Sequence, residues 1–162
     1  MHGLPTWRTH ERERGGQRLR VTAVPGRHGP GLMDRLLPDV MGSVVELDIM
    51  GETRLRLYIT GDTLLRPMLA EVPRRHGPID AMIIHLGGTR VFGVLLTMDG
   101  AQGAALTELV RPGLTLPVHF DDYTVFTSGL RDFVDRVKDR GVTEVVPVAR
   151  GDTVDLPLRA AG

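Results

Sequence analysis

The stretch SVVELDIMGETRLRLYITGDT, residues 43–63, decides the fold. Residues 43–50 and 54–60 are two strand-like apolar runs, separated by Gly51-Glu52, which is a hairpin signal. In the second run Leu55, Leu57 and Ile59 alternate with Arg54, Arg56 and Tyr58, the period of a half-buried strand. After Gly61-Asp62-Thr63 the period changes. Leu65, Met68, Leu69 and Val72 fall at i, i+3, i+4 and i+7, one face of a helix. Pro67 fits that helix only in its first turn, where a missing N–H is harmless.

Working outward, the same alternation of strand and helix continues on both sides. Residues 81–84 form a short, continuous apolar run of the kind buried on both faces, followed by the loop His85-Leu86-Gly87-Gly88. Asp99 and Gln102 have capping-box spacing, and Ala104, Ala105, Leu106, Leu109 and Val110 follow as a helix that Pro112 and Gly113 end. A strand is predicted over 114–118, and a helical face from Leu130, Phe133, Val134 and Val137, stopped by Gly141. Residues 144–148 and 153–156 read as closing strands. Upstream, residues 8–14 and 18–24 pair around Gly15-Gly16, and Pro25-Gly26 ends the second of them. Residues 31–41 are irregular. The sum is an α/β chain with a mixed sheet and a hairpin near its start.

The 162 residues are 41% apolar and 25% charged, ordinary globular values for a single domain that can bury a core. Lys+Arg and Asp+Glu are both 20, so the formal net charge is zero. This argues against nucleic-acid or anionic-membrane binding driven by bulk charge, and leaves self-association unopposed by repulsion. Arg8, Arg12, Arg14, Arg18 and Arg20 interleave with Glu11 and Glu13, as on a solvated hairpin. Lys138 is the only lysine, which reflects a GC-rich codon bias. Without cysteine there is no disulfide, thiolate metal ligand or thiol nucleophile. No stretch approaches the roughly 20 apolar residues of a membrane span, and residues 1–7 have no signal-peptide core. The expectation is a cytoplasmic protein.

Three metal-capable side chains sit just past apolar runs: His28 after 21–24, Asp62 after 57–60 and His119 after 114–118. Strand ends are where layered α/β folds build sites, and two imidazoles with a carboxylate suit a divalent transition metal. Each also has a structural alternative. His28 can be a loop histidine bonded to backbone, Asp62 a helix cap, and His119 a satisfied buried histidine. Thr63 can take the cap in place of Asp62. The recurrence of strand then ligand in three places favours the site.

Val24-Pro25-Gly26-Arg27-His28-Gly29-Pro30, Thr60-Gly61-Asp62-Thr63, His85-Leu86-Gly87-Gly88, Thr97-Met98-Asp99 and Pro117-Val118-His119-Phe120-Asp121-Asp122-Tyr123 occur in that order. Together they resemble the C-terminal half of the metallo-β-lactamase-fold hydrolases, in particular the branch that includes ascorbate-6-phosphate lactonase. The resemblance runs from about residue 3 to about residue 156. It implies half of an αββα sandwich, a mixed sheet with helices on one face. It also implies a two-metal hydrolase in which a bridging water is activated as hydroxide and attacks a lactone, ester or phosphodiester. By that resemblance His28 completes the first metal site, His119 belongs to the second, and Asp62 bridges both as the catalytic carboxylate. His85, Asp122 and Tyr123 would contact a small-molecule substrate. The cofactor implied is a divalent metal, zinc first, with manganese and iron also suited to these ligands.

The departure from the family is equally informative. Its His-x-His-x-Asp-His motif has no match here, and neither His2 nor His10 is placed to substitute. Residues 1–162 therefore read as one partial domain whose N-terminal half is absent. Either metal site would be short of the three protein ligands usual for catalytic zinc. A single ion held by His28, Asp62 and His119 together is the remaining geometric solution. The inner apolar face of the sheet is expected to be covered by homodimerisation or by a separate chain supplying the missing half, unless the chain is a truncated product. The alternative function is a non-catalytic half-domain acting in assembly or as a metal-binding module.

Overall fold

The computed structural model describes residues 3–31, 38–122, 124 and 126–161. Two tight hairpins open the chain: β1 (Thr9–Arg14) with β2 (Gln17–Pro25), and β3 (Met41–Ile49) with β4 (Glu52–Ile59). Both turns are two-residue loops with positive φ at each position, Gly15-Gly16 at 57° and 75° and Met50-Gly51 at 53° and 86°. That backbone matches the right-handed twist of the flanking strands. The second turn falls one residue earlier than the sequence signal, with Met50 taking the strained position and its side chain in solvent.

Four antiparallel strands, β1-β2-β3-β4, continue into a parallel block: β5 (Ala81–His85), β8 (Leu114–Val118) and β9 (Glu144–Val145), giving the order β1-β2-β3-β4-β5-β8-β9. A separate two-stranded ribbon, β6 (Arg90–Val91) and β7 (Val94–Leu95), lies between β5 and α2 (Gly100–Val110) in the chain. Parallel pairing requires crossovers, and these are a 3₁₀ turn (Pro67–Ala70) running into α1 (Glu71–His76), then α2, then α3 (Leu130–Arg140). The predicted helix after Asp62 is thus split. Pro67 opens the 3₁₀ turn, and Leu69 and Val72 are both fully buried, as the periodicity requires. Asp99 caps α2 by accepting from Gln102 N–H, while the Gln102 carboxamide oxygen accepts from Leu65 N–H at 3.0 Å and ties the helix to the Asp62 loop.

The helices pack on one sheet face. Val24, Val44, Tyr58, Met82 and Ile84 from the strands meet Leu106, Val110, Phe133 and Val137 from α2 and α3. On the opposite face Ala81, Leu114 and Leu116 are covered by Val146, Val148, Val154 and Leu156. These belong to a C-terminal strap that runs as coil, so that of the two predicted closing strands only Glu144–Val145 of the first is formed, as β9. Pairing with β8 stops early for a chemical reason. Thr115 C=O accepts from Val146 N–H at 3.0 Å, but Pro117, the next residue of β8 on that edge, has no N–H to extend the ladder. The strap is pinned at its end by Arg159, which donates to Asp80 at 2.8 Å and to Pro78 C=O at 2.7 Å. Among the described residues no helix is long and apolar enough to cross a membrane.

Where the helix layer ends, the same face carries charge. Arg20, Glu46 and Arg56 are cross-strand neighbours. Arg56 Nε lies 3.0 Å and Arg20 Nη2 3.5 Å from Glu46 Oε1, and His76 Nδ1 lies 3.5 Å from Oε2. The His76 hydrogen bond, helped by Arg56 and Arg20 and opposed by burial, holds the Glu46 carboxyl down at about 2. Its folded value lies below its unfolded one, so the stabilisation is complete above about pH 4.5 and is lost as pH falls toward 2. Acid should therefore remove about 3 kcal/mol through this one group. Urea midpoints across that pH range should fall steeply, and Glu46→Gln should flatten the profile.

Candidate active site

All the predicted site residues that the structure describes lie at or past the C-terminal ends of strands. β4 ends at Ile59, Thr60 is fully buried, and Gly61 turns the chain with φ at 65° to present Asp62. A Cβ on Gly61 would sit 2.5 Å from Met41 C=O, so this turn accepts only glycine. Neither Asp62 nor Thr63 caps a helix, contrary to the sequence reading of Thr63. The Thr63 hydroxyl instead accepts from Arg27 N–H at 2.8 Å, and Arg27 C=O accepts from Leu64 N–H at 2.8 Å. These bonds lock the His28 loop to the Asp62 loop.

Asp62 and His119 are brought together, with Oδ1 and Nδ1 3.6 Å apart. His119 itself adopts φ at 57°, an uncommon conformation for a residue with a side chain. Its Nδ1 is also 3.5 Å from Leu86 C=O. Hydrogen bonding at Nδ1 fixes the tautomer that leaves the lone pair on Nε2, the arrangement common in metal-ligating histidines. The ring packs on Phe126, with centroids 4.8 Å apart, and on His85 at 5.9 Å. Gly87 makes room for this stack, since a Cβ there would lie 2.9 Å from His119 C=O and 3.2 Å from Phe126.

His85 closes β5. Its N–H donates to the Thr60 hydroxyl at 3.0 Å, and its Nδ1 lies 3.5 Å from the same oxygen. Burial pushes its pKa down, and His119 adds to this, against the opposing pull of Asp62 and Asp122. The neutral imidazole is thus favoured. Asp122 is exposed and pairs with Arg150 at 2.6 Å. It lines a cavity of about 670 Å³ together with His119, Phe120, Val148 and Arg150. Tyr123 lies outside the described residues. Two contributors were not singled out from sequence. Thr60, read as the last strand residue, orients His85, and Phe126 buttresses His119. A threonine at a strand end and a phenylalanine in a loop carry no distinctive pattern.

His28 sits in the loop after β2, half-buried, with Gly29 N–H donating to Leu96 C=O at 3.2 Å. Among the described residues no three His, Asp or Glu side chains are gathered closely enough to hold a metal. His28 is therefore not assembled with Asp62 and His119 into one three-donor group. The donors nonetheless suit a cation. Asp62 Oδ1 and His28 Nδ1 are both buried, with no hydrogen-bond partner among the described residues. An unsatisfied buried carboxylate oxygen beside an imidazole is costly unless a cation or a donor completes it.

Known proteins point the same way. A metal-dependent hydrolase of Thermococcus onnurineus is 24% identical over 138 residues, 85% of this chain and 56% of its own length. One from Staphylococcus aureus is 30% identical over 116 residues, 72% of this chain and 44% of its own. The chain thus spans about half the length of the curated relatives it matches. Among solved structures, the isothiocyanate hydrolase from Delia radicum gut bacteria superposes with a TM-score of 0.70 at 16% identity, over 91% of this chain and 57% of that one. A possible metal-dependent hydrolase from Veillonella parvula gives 0.69 at 18% identity, over 90% and 56%. These likenesses establish the metallo-hydrolase fold. Residues 1–120 match the Beta-lactamase superfamily domain, and the chain belongs to that family.

Proposed function

We propose that the chain serves a metal-dependent hydrolase, contributing the half of the site that carries Asp62, His119 and His28. The observation that carries this is the buried, unsatisfied Asp62 Oδ1 beside His119 Nδ1, in a family whose relatives include metal-dependent hydrolases. Asp62 and His119 would hold a divalent ion between them, with His28 a further donor only if its loop closes on the pair, and zinc, manganese and iron all suit such ligands. When bound, the ion supplies Lewis acidity and lowers the pKa of a coordinated water to about 7. The chain's own residues do the rest. Leu86 C=O and Phe126 fix the His119 ring, Thr60 holds His85 in place, and burial favours its neutral imidazole, which can donate or accept a hydrogen bond. Asp122 contacts a small-molecule lactone, ester or phosphodiester in the cavity beside His119, a role that the sequence resemblance also gives to Tyr123. The protein acts in the cytoplasm.

A second reading rests on the absence of a three-donor group among the described residues: a non-catalytic half-domain used in assembly or as a metal-binding module. One measurement separates them. Metal content per chain, after purification without chelators, is expected near one ion and to fall at least about tenfold in His28→Ala/His119→Ala. Metal-loaded protein should then hydrolyse lactones or phosphodiesters. Metal without hydrolysis would leave the module reading. No metal in either protein would sink the enzyme reading for this chain alone.

A further inference from the structure

The β6–β7 hairpin breaks a local rule. Its turn is Phe92-Gly93, a two-residue loop with φ at 50° and 80°. That backbone favours Asn-Gly and strains a bulky side chain. Phe92 is also 102% exposed, and Val91 beside it 39%. Met50 takes the same left-handed position in the β3–β4 turn, but its sulfur lies over Gly16, 3.0 Å from where a Cβ there would stand. Phe92 has no such neighbour among the described residues, and the space around Gly93 is open. The turn thus combines backbone strain with a solvated aromatic ring, a conflict of the kind found at functional positions.

The hairpin is rooted in the site. Among the described residues it pairs with no strand of the main sheet, and its stem is fixed to two of the site loops. Leu96 C=O accepts from Gly29 N–H at 3.2 Å, next to His28, and Met98 C=O accepts from Gly88 N–H at 3.0 Å, in the loop that follows His85. Thr97 locks the stem across, its hydroxyl accepting from Thr89 N–H at 3.0 Å and donating to the Thr89 hydroxyl at 3.1 Å. Arg90 Nη1 donates to Gly93 C=O at 3.3 Å and braces the tip. In the strand order Asp62, after β4, stands between the loop after β2 that holds the stem and His119, after β8. The stem therefore stands at the C-terminal ends of the strands, with its aromatic tip free.

We propose that Phe92 is a specificity-determining residue whose ring seats an apolar aryl or alkyl arm of the substrate, while the reacting group lies at Asp62 and His119. The substrate class is then an ester or lactone with an apolar arm. A phosphodiester without one lacks the group that the tip meets. The inference rests on the hydrolase reading for the identity of this occupant. Phe92 touches the arm and not the reacting atoms, so it sets affinity and the choice between substrates, and metal binding is left to Asp62 and His119. A ring on a braced turn suits that task, because it offers a large face with few bonds to immobilise.

Nuclear magnetic resonance of the full, isotope-labelled chain tests it, with and without zinc. The probe is benzylacetone, the unreactive ketone analogue of benzyl acetate, and acetone is the control that lacks the arm. Benzylacetone should shift the amide signals of residues 90–95 and 119–122 along one saturation curve. Phe92→Ala should weaken it by about threefold to tenfold, the worth of one aromatic contact, and leave acetone unchanged. Phe92→Asn, which supplies the favoured Asn-Gly pair, should hold or raise the urea midpoint and yet lose the same affinity. A structural role for Phe92 would move those two readouts together. No binding, equal binding by parent and Phe92→Asn, or shifts that spare residues 90–95 would each overturn the proposal. Failure to take up zinc counts against the hydrolase reading alone, because a Phe92-dependent seat is read equally in the metal-free chain.

Discussion

Phe133→Ala is expected to destabilise the chain by roughly 3–5 kcal/mol, the range for removing a buried aromatic side chain from a core. Phe133 is fully buried on α3, and its ring fills the space beside Gly103 of α2, 3.1 Å from where a Cβ would stand, next to Leu86 at 2.6 Å. The residue thus joins two helices and the sheet through one side chain. A loss of that size is a large part of the 5–15 kcal/mol that separates folded from unfolded domains. Urea unfolding by circular dichroism should show the midpoint displaced with little change in slope. A shift below about 1 kcal/mol would mean that α2 and α3 hold without it.

The second large effect belongs to Gly61. Gly61→Ala should cost about 2–4 kcal/mol, combining a left-handed backbone and overpacking against Met41 C=O. More telling is its expected effect on metal. The turn aims Asp62, so its distortion should lower ion occupancy even under conditions where the variant stays folded. Gly151→Ala, at another positive-φ turn with open space around it, serves as the control. It should keep the metal of the parent protein. Equal occupancy in the Gly61 variant would show that Asp62 does not set the affinity.

Much of this arrangement was legible in the residues. Leu69 and Val72, Phe133 and Val137, and the Asp99 cap all report local periodicity or capping chemistry, and the structure places them accordingly. The strap was misread because Val154 and Leu156 alternate like a strand. Alternation records only that one side is buried, not that a neighbouring strand is there to pair with. The reading of β4 shows the same limit from the other direction. Leu55, Leu57 and Ile59 look like its core side, yet it is Tyr58 that the helices bury completely. A strand with apolar residues on both sides gives no sign of which layer lies over which. The site was legible as residue types at strand ends. Its internal geometry was not, because Thr60, Leu86 and Phe126 act through position in space.

The strap has a further consequence for synthesis. Its terminal anchor joins Arg54 to Arg159, 105 positions apart. At about 5–20 residues per second, the ribosome delivers that anchor roughly 5–20 s after β4. Helix-side packing of the early strands can begin in that interval, while the far side of β4 and β5 must wait for the last residues to emerge. Nascent chains are thus exposed to mispairing through this surface until the strap emerges, and chaperone demand should concentrate in that interval.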